Sequence, residues 1–280
     1  MAYKLIAFDL DGTFLDDDKS VPPENLRALE EAARRGIHIV PATGRIMEGV
    51  PEEIRKLPFI RYYIAINGAY VYDAGEDKVL YRGEIPASLA VEFCGYMDTL
   101  PVLYDCYQYN FGWMSRDMYE RTGEYLAHEP GIHALLKRTR TPVDDLKETL
   151  RQRGDPVQKM QMYFKPERLD ERQRQLELVP RLFPELVASS SMRSNIEINS
   201  ITAGKGPALK ALAERLGLGI GETVAFGDGS NDLGMIQTAG LGVAMANAVE
   251  SVKTAADRIT GANREAGVAQ GIRRILSEQE

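Results

Sequence analysis

The chain has 280 residues, 44% hydrophobic and 27% charged, the proportions of an ordinary globular protein with a sizeable core. A net charge of −7 argues against a dedicated nucleic-acid surface, and no apolar run approaches a membrane span, so neither nucleic acid nor membrane is expected as a partner. The 2 cysteines and 3 histidines show no metal-ligand spacing, which leaves reduced cysteines in a cytoplasmic protein as the expectation.

"MAYKLIAFDLDG" meets charge before any long apolar stretch, so no secretory signal is expected. Its residues KLIAF read as a short buried strand. "PPENLRALEEAARRG" reads as a helix: prolines open it, Leu26, Leu29 and Ala33 recur at helical spacing, and Gly36 suits its end. "IHIVPATGR" and "YYIAIN" are two further apolar strands, so the chain starts β-α-β-α-β. "AYVYDAG" and "KVLYRGEI" form an antiparallel hairpin around Gly75. From about Ile85 the character changes. A helix over 86–99 precedes "PVLYDCYQYNFGWM", a hairpin turning near Asn110 and Gly112. A helix near 143–152, the strand "VQKMQMYF", the charged helix "RLDERQRQLELVPRLF" and a strand near 186–191 complete an α+β segment. The first style then returns with the strand "NIEINS", the helix "GKGPALKALAERLGL", the strands "ETVAFGDGSND" and "LGVAM", and the helix "NREAGVAQGIRRILSEQ". The expected fold is therefore α/β, a doubly wound, mainly parallel sheet, with residues 1–84 and 192–280 forming one domain around an inserted α+β domain at 85–191.

Ligands of open parallel sheets bind beyond the carboxyl ends of the strands. Here those ends read "DLDGT", "ATGR", "INGA" and "GDGSND", with the lysine of "GKG" at a helix start. Each has a plain structural alternative. "DG" is a common turn pair, "TGR" suits a helix start with a surface arginine, and "GDGSND" suits a polar loop capping the next helix. Weight comes from finding them together. Asp9, Asp11 and Asp228 would make a negative cluster that raises carboxylate pKa values unless a cation sits among them. A hard divalent ion such as Mg²⁺ answers that need, and Lys205, the Thr43 hydroxyl and loop N–H groups would hold phosphate oxygens. Such a set suits phosphoryl transfer.

In this order, "DLDGT", "ATGR", "GKG" and "GDGSND" resemble the four motifs of the haloacid dehalogenase (HAD) superfamily of phosphatases. The large insert, "IAINGAYVYD" and "NREAGVAQGI" resemble its Cof-like type IIB branch, in which an α+β cap covers the active site. The resemblance implies that Asp9 attacks phosphorus and forms an aspartyl-phosphate, while Asp11 protonates the leaving alcohol and then activates water. It implies Mg²⁺ held by Asp9, the Asp11 backbone carbonyl and Asp228, with Asp232 supporting directly or through water. Thr43, Gly44 and Lys205 would hold the phosphoryl group, Asn231 would contact it or orient Lys205, and Arg45 would meet the substrate. Gly12 would let the backbone turn close to the phosphate and Thr13 would brace the loop.

The expected function is a Mg²⁺-dependent phosphomonoesterase for a small metabolite such as a sugar phosphate. The alternatives are a phosphohexomutase of the same superfamily and a phospho-Asp signalling module, whose single small domain lacks such an insert. Tyr107, Tyr109 and Trp113 alternate along one strand face, a pattern that favours packing over a substrate pocket. Asp16, Asp17 and Asp18 read as a solvated loop.

Overall fold

The computed structural model describes residues 2–108, 111–190 and 192–279. Its chain divides into two compact units, Met1–Arg82 with Ala203–Glu280, and Gly83–Thr202.

The first unit begins with β1 (Leu5–Phe8), α1 (Pro23–Arg34), β2 (His38–Pro41), the single turn α2 (Glu52–Arg55), β3 (Tyr62–Ala65), β4 (Tyr70–Asp73) and β5 (Lys78–Arg82). β1 is buried at every position, as a strand covered on both faces requires. Pro23 opens α1 and Glu24 lies in its first turn; the buried stripe is Asn25, Ala28, Leu29 and Ala32, with Leu26 and Ala33 at its margin.

The second unit carries α3 (Ala87–Met97), β6 (Leu103–Gln108), β7 (Phe111–Ser115), three short helices α4 (Arg116–Glu120), α5 (Thr122–Leu126) and α6 (Pro130–Thr139), β8 (Arg140–Val143), α7 (Leu146–Arg153), β9 (Lys159–Tyr163), α8 (Leu169–Leu182), β10 (Leu186–Ser189) and β11 (Asn195–Ser200). Its sheet has the order β10-β11-β9-β6-β7-β8. One face is apolar: Tyr104, Cys106, Met160, Met162, Ile196 and Ile198 pack with Phe93, Leu146, Leu150 and Val179 of the helices. The opposite face carries Asp105, Gln161 and Glu197 in one cross-strand row. Tyr107 and Trp113 are half-buried here. Trp113 packs on the apolar core, and the Tyr107 hydroxyl bonds Arg140 and Gln161, so both are packing and network residues. Gly112 lies inside β7 opposite Tyr107 and not at the turn, because Arg140 fills the space where a side chain would stand. Tyr109 and Asn110 lie outside the described residues.

The first unit resumes with α9 (Lys205–Arg215), β12 (Thr223–Gly227), α10 (Leu233–Thr238), β13 (Leu241–Ala244), α11 (Glu250–Ala255), β14 (Arg258–Ile259) and α12 (Gly267–Ser277). Its main sheet has the order β14-β13-β12-β1-β2, with every pairing parallel. The chain leaves β1 toward β2 and returns on the other side at β12. The β1/β12 boundary is therefore the topological switch point, where the strand ends leave a crevice.

Two expectations need correction. "NIEINS" belongs to the second unit, paired antiparallel with β9 and β10, so residues 192–202 do not return to the first unit. Its alternating Ile and polar residues match a sheet with one apolar face. β3 heads a separate antiparallel sheet β3-β4-β5 and joins the parallel sheet through one bridge, Ala42 to Ile64.

Packing of α12 on the sheet gives a test in which two effects oppose. Ala in place of Gly271 would gain about 1 kcal/mol of helix propensity. A Cβ there would stand 2.5 Å from the ring of fully buried Phe226, and such overpacking costs roughly 1–3 kcal/mol. Gly271→Ala is expected to lower the unfolding free energy in urea; a gain would show that Phe226 moves freely.

Candidate active site

β1 ends at Phe8, and the Asp9 N–H is bonded to the Phe226 carbonyl of β12 at 3.0 Å. The chain then coils: Phe14 and Leu15 donate back to the Leu10 carbonyl at 3.1 and 2.9 Å. Gly12 has φ +82, and a Cβ on it would lie 2.4 Å from Asp228 Oδ2, so glycine is required for this approach. Thr13 braces the loop, its hydroxyl donating to Asp228 Oδ1 at 2.6 Å. Asp228 itself follows β12, the strand beside β1.

Lys205 opens α9 with only 1% of its surface exposed, and its Nζ donates to Asp9 Oδ1 at 2.5 Å and Asp232 Oδ1 at 2.6 Å. The backbone before it is pressed against the "INGA" turn. Gly68 has φ +83, and a Cβ there would sit 2.2 Å from the Gly204 carbonyl oxygen. Asp232 Oδ2 accepts the N–H groups of Asp228 and Gly229 at 3.0 and 2.9 Å. Both oxygens of Asp232 are thus engaged, and it ties Lys205 to the Asp228 loop.

One carboxylate oxygen from each of Asp9, Asp228 and Asp232 lies within 4.8 Å of the others. Burial raises the Asp9 pKa well above the carboxylate range; the Lys205 charge opposes this, and the charges of Asp232 and Asp228 add to it. Burial also pushes Asp228 up to about 6, with the Thr13 hydrogen bond opposing and the Asp232 charge adding. For Lys205, burial favours the neutral amine, but Asp232 and Asp9 overcome it and raise the pKa. A single ammonium among three carboxylates leaves negative charge uncompensated. A hard divalent cation with oxygen ligands fits this donor set.

Asp11 is placed differently. Its carboxylate accepts a two-point contact from Arg45, Nε at 2.7 Å and a second nitrogen at 2.7 Å, and an ion pair from Lys19 at 3.0 Å. Burial alone would raise its pKa; Arg45, then Lys19, outweigh that and hold it below the usual range. Its side chain stands apart from the cluster of Asp9, Asp228 and Asp232.

Thr43 is buried, and its Oγ1 accepts the Arg45 N–H at 3.1 Å. Gly44 closes on Asn67, whose Oδ1 would be 2.7 Å from a Cβ at that position. Asn231 donates its Nδ2 to the same Asn67 oxygen at 3.2 Å, while the Lys205 ammonium donates to Asp9 and Asp232. Asn67 was signalled by "INGA" but not assigned; it is buried at φ +56, a conformation asparagine tolerates. Lys19 was missed because it stands in the acidic stretch read as solvated loop, which Asp17 and Asp18 indeed are.

The chain matches the haloacid dehalogenase-like hydrolase family over residues 6–272. It is 32% identical over 277 residues to the 5-amino-6-(5-phospho-D-ribitylamino)uracil phosphatase YcsE of Bacillus subtilis, covering 96% of this chain and 94% of that one. A putative phosphatase of the same bacterium, YxeH, is 34% identical with 98% of each chain covered. Among solved structures, a haloacid dehalogenase-like hydrolase from Bacteroides thetaiotaomicron superposes with TM-score 0.79 at 29% identity, over 98% of this chain and 99% of that one. The chain belongs to the haloacid dehalogenase-like hydrolases, as a phosphatase of the Cof-like branch.

Electrostatics of the cluster can be checked without substrate. A carboxylate whose folded pKa lies above its unfolded value stabilises the fold below the unfolded pKa and loses that contribution as pH rises through the folded one. For Asp228 the window runs from about 4 to about 6. Without metal, Asp228→Asn is expected to be more stable than the wild type at pH 7.5 by about 2 kcal/mol. That advantage should shrink below pH 6 and nearly vanish at pH 4. Chemical denaturation in EDTA at each pH measures it, and an advantage that grows as pH falls would be the wrong sign.

Proposed function

We propose that the protein is a Mg²⁺-dependent phosphomonoesterase acting on a small phosphorylated metabolite, through a phosphorylated Asp9. The observation that carries this reading is the clustering of the Asp9, Asp228 and Asp232 carboxylates at the switch point of the sheet, with the Lys205 ammonium bonded to Asp9 and Asp232. The Asp9 and Asp228 carboxylates and the Asp11 carbonyl would hold Mg²⁺, which supplies charge neutralisation for the incoming phosphoryl group. Asp232 acts through its bonds to Lys205 and the Asp228 loop.

Asp9 is suited to attack. Lys205 holds its Oδ1, and among the described residues no hydrogen bond reaches Oδ2. Oδ2 forms the bond to phosphorus as the ester P–O bond breaks, and the leaving oxygen takes a proton from Asp11. A water then attacks the phosphorylated Asp9, gives its proton to Asp11, and inorganic phosphate departs. Arg45 holds Asp11 as a carboxylate, the form that accepts that proton. To act first as the acid, Asp11 must leave this contact, which frees the guanidinium for the substrate. Thr43, Gly44 and Lys205 would position the phosphoryl oxygens, with Asn231 and Asn67 fixing the loops between them.

The YcsE relative bears the name of a phosphatase for a ribityl phosphate, which supports a polyol or sugar phosphate as the substrate class. The free, buried Cys94 and Cys106 support a reducing, cytoplasmic location.

Asp9→Asn is expected to lower turnover of p-nitrophenyl phosphate by at least about 10³-fold with the fold retained by circular dichroism. EDTA should silence the wild type and added Mg²⁺ restore it. A panel of phosphorylated metabolites, read by released phosphate, identifies the substrate. Undiminished turnover by Asp9→Asn would sink the assignment.

A further inference from the structure

Three asparagines outside the reaction just described grip the loop that follows β1. Asn247 Nδ2 donates to the Gly12 carbonyl at 2.7 Å, Asn25 Nδ2 to the Phe14 carbonyl at 2.9 Å, and Asn263 Nδ2 to the Leu15 carbonyl at 3.2 Å. The acceptor ends of two of them are engaged as well. Asn25 Oδ1 takes the Ala269 N–H and Asn247 Oδ1 the Asn263 N–H, each at 2.9 Å. Asn25 and Asn263 are buried, where removal would strand backbone groups and damage the fold itself.

Asn247 is different. It is exposed, so water could replace a bond of merely local value. It also sits on a segment that already holds the second acidic loop: the Met245 N–H is bonded to the Gly227 carbonyl at 3.1 Å and the Val249 N–H to the Asp228 carbonyl at 3.0 Å. Through its side chain the same segment reaches Gly12, between Asp11 and the Thr13 that braces Asp228. One short segment therefore spans the loop bearing Asp9 and Asp11 and the loop bearing Asp228.

We propose that Asn247 is a positioning residue: it fixes the spacing of these two loops and so sets the affinity of the acid cluster for its divalent cation. The proposal rests on the Mg²⁺-dependent reading above. Groups that orient metal ligands typically change affinity or activity by 10- to 100-fold when removed.

Asn247→Ala and Asn247→Asp test it in the full-length protein. Asp keeps the size and the oxygen that meets the Asn263 N–H, but turns a second oxygen toward the Gly12 carbonyl. Mg²⁺ binding by titration calorimetry, and kcat and KM for p-nitrophenyl phosphate, are the readouts. Both variants are expected to bind Mg²⁺ about 10-fold more weakly and to lose kcat by a similar factor, with KM within about twofold. The Asp variant discriminates sharply, because its added negative charge alone would tighten Mg²⁺ binding. Mg²⁺ affinity within twofold of wild type in both variants overturns the proposal, whether or not the melting temperature falls. Wild-type protein that binds no Mg²⁺, or Asp9→Asn that stays active, overturns the underlying reading instead.

Discussion

A fully buried ammonium, that of Lys205, is held between the carboxylates of Asp9 and Asp232, and much of the first unit serves to keep those three charges together. Removing each ion from water costs several kcal/mol even after relaxation. The attraction repays that cost only when the geometry is good and the remaining oxygens are bonded. Asp232 meets the condition inside the protein, through Lys205 and two backbone N–H groups. Asp9 does not, and Asp228 beside it adds repulsion. The energetic deficit of the cluster falls on the two residues that face the crevice, where a metal and a phosphate can make it good.

That division depends on backbone approaches which side chains would forbid. The Gly12 contact with Asp228 brings the first and last acidic loops together, and the Gly68 contact with Gly204 seats the start of α9 so that Lys205 reaches inward. Neither glycine carries a side chain into the site. Each makes a close crossing possible between segments far apart in sequence, and the parallel strands β1 and β12 set the separation those crossings must fit.

The legibility of these features in the sequence followed the range of the interactions. β1 and β12 could be read because continuous apolar runs end abruptly in acids, and the helix starts because proline and glycine mark them. "NIEINS" was placed in the wrong unit although its period-two pattern differs from the unbroken apolar runs of the parallel strands. Helices α4 to α6 were not anticipated: two are single turns of five residues, too short for periodicity to show. The acids and Lys205 were recoverable because their spacing forms motifs. Asn247 was not, since its bond to Gly12 spans 235 residues and nothing local marks an exposed asparagine as its donor.

Four aspartates near one crevice carry the same functional group, and their surroundings separate them. Asp232 has both oxygens bound, one by Lys205 and the other by backbone N–H groups of the Asp228 loop. Asp228, bonded by Thr13 at one oxygen and half-buried, is more open to solvent than its deeply buried neighbour Asp9, but burial still pushes its pKa up to about 6, above the usual carboxylate value. Asp11, partly open to solvent, is kept anionic by Arg45 and Lys19. Asp9 alone joins deep burial with an oxygen that no described residue bonds. Under the proposed reaction, a buried carboxylate with one unbonded oxygen is poorly solvated and therefore reactive as the anion, and the Lys205 charge opposes the protonation that burial favours. Roles that identical side chains could have shared are thus assigned by solvation and partners, and the sequence shows them only as a pattern of equal letters.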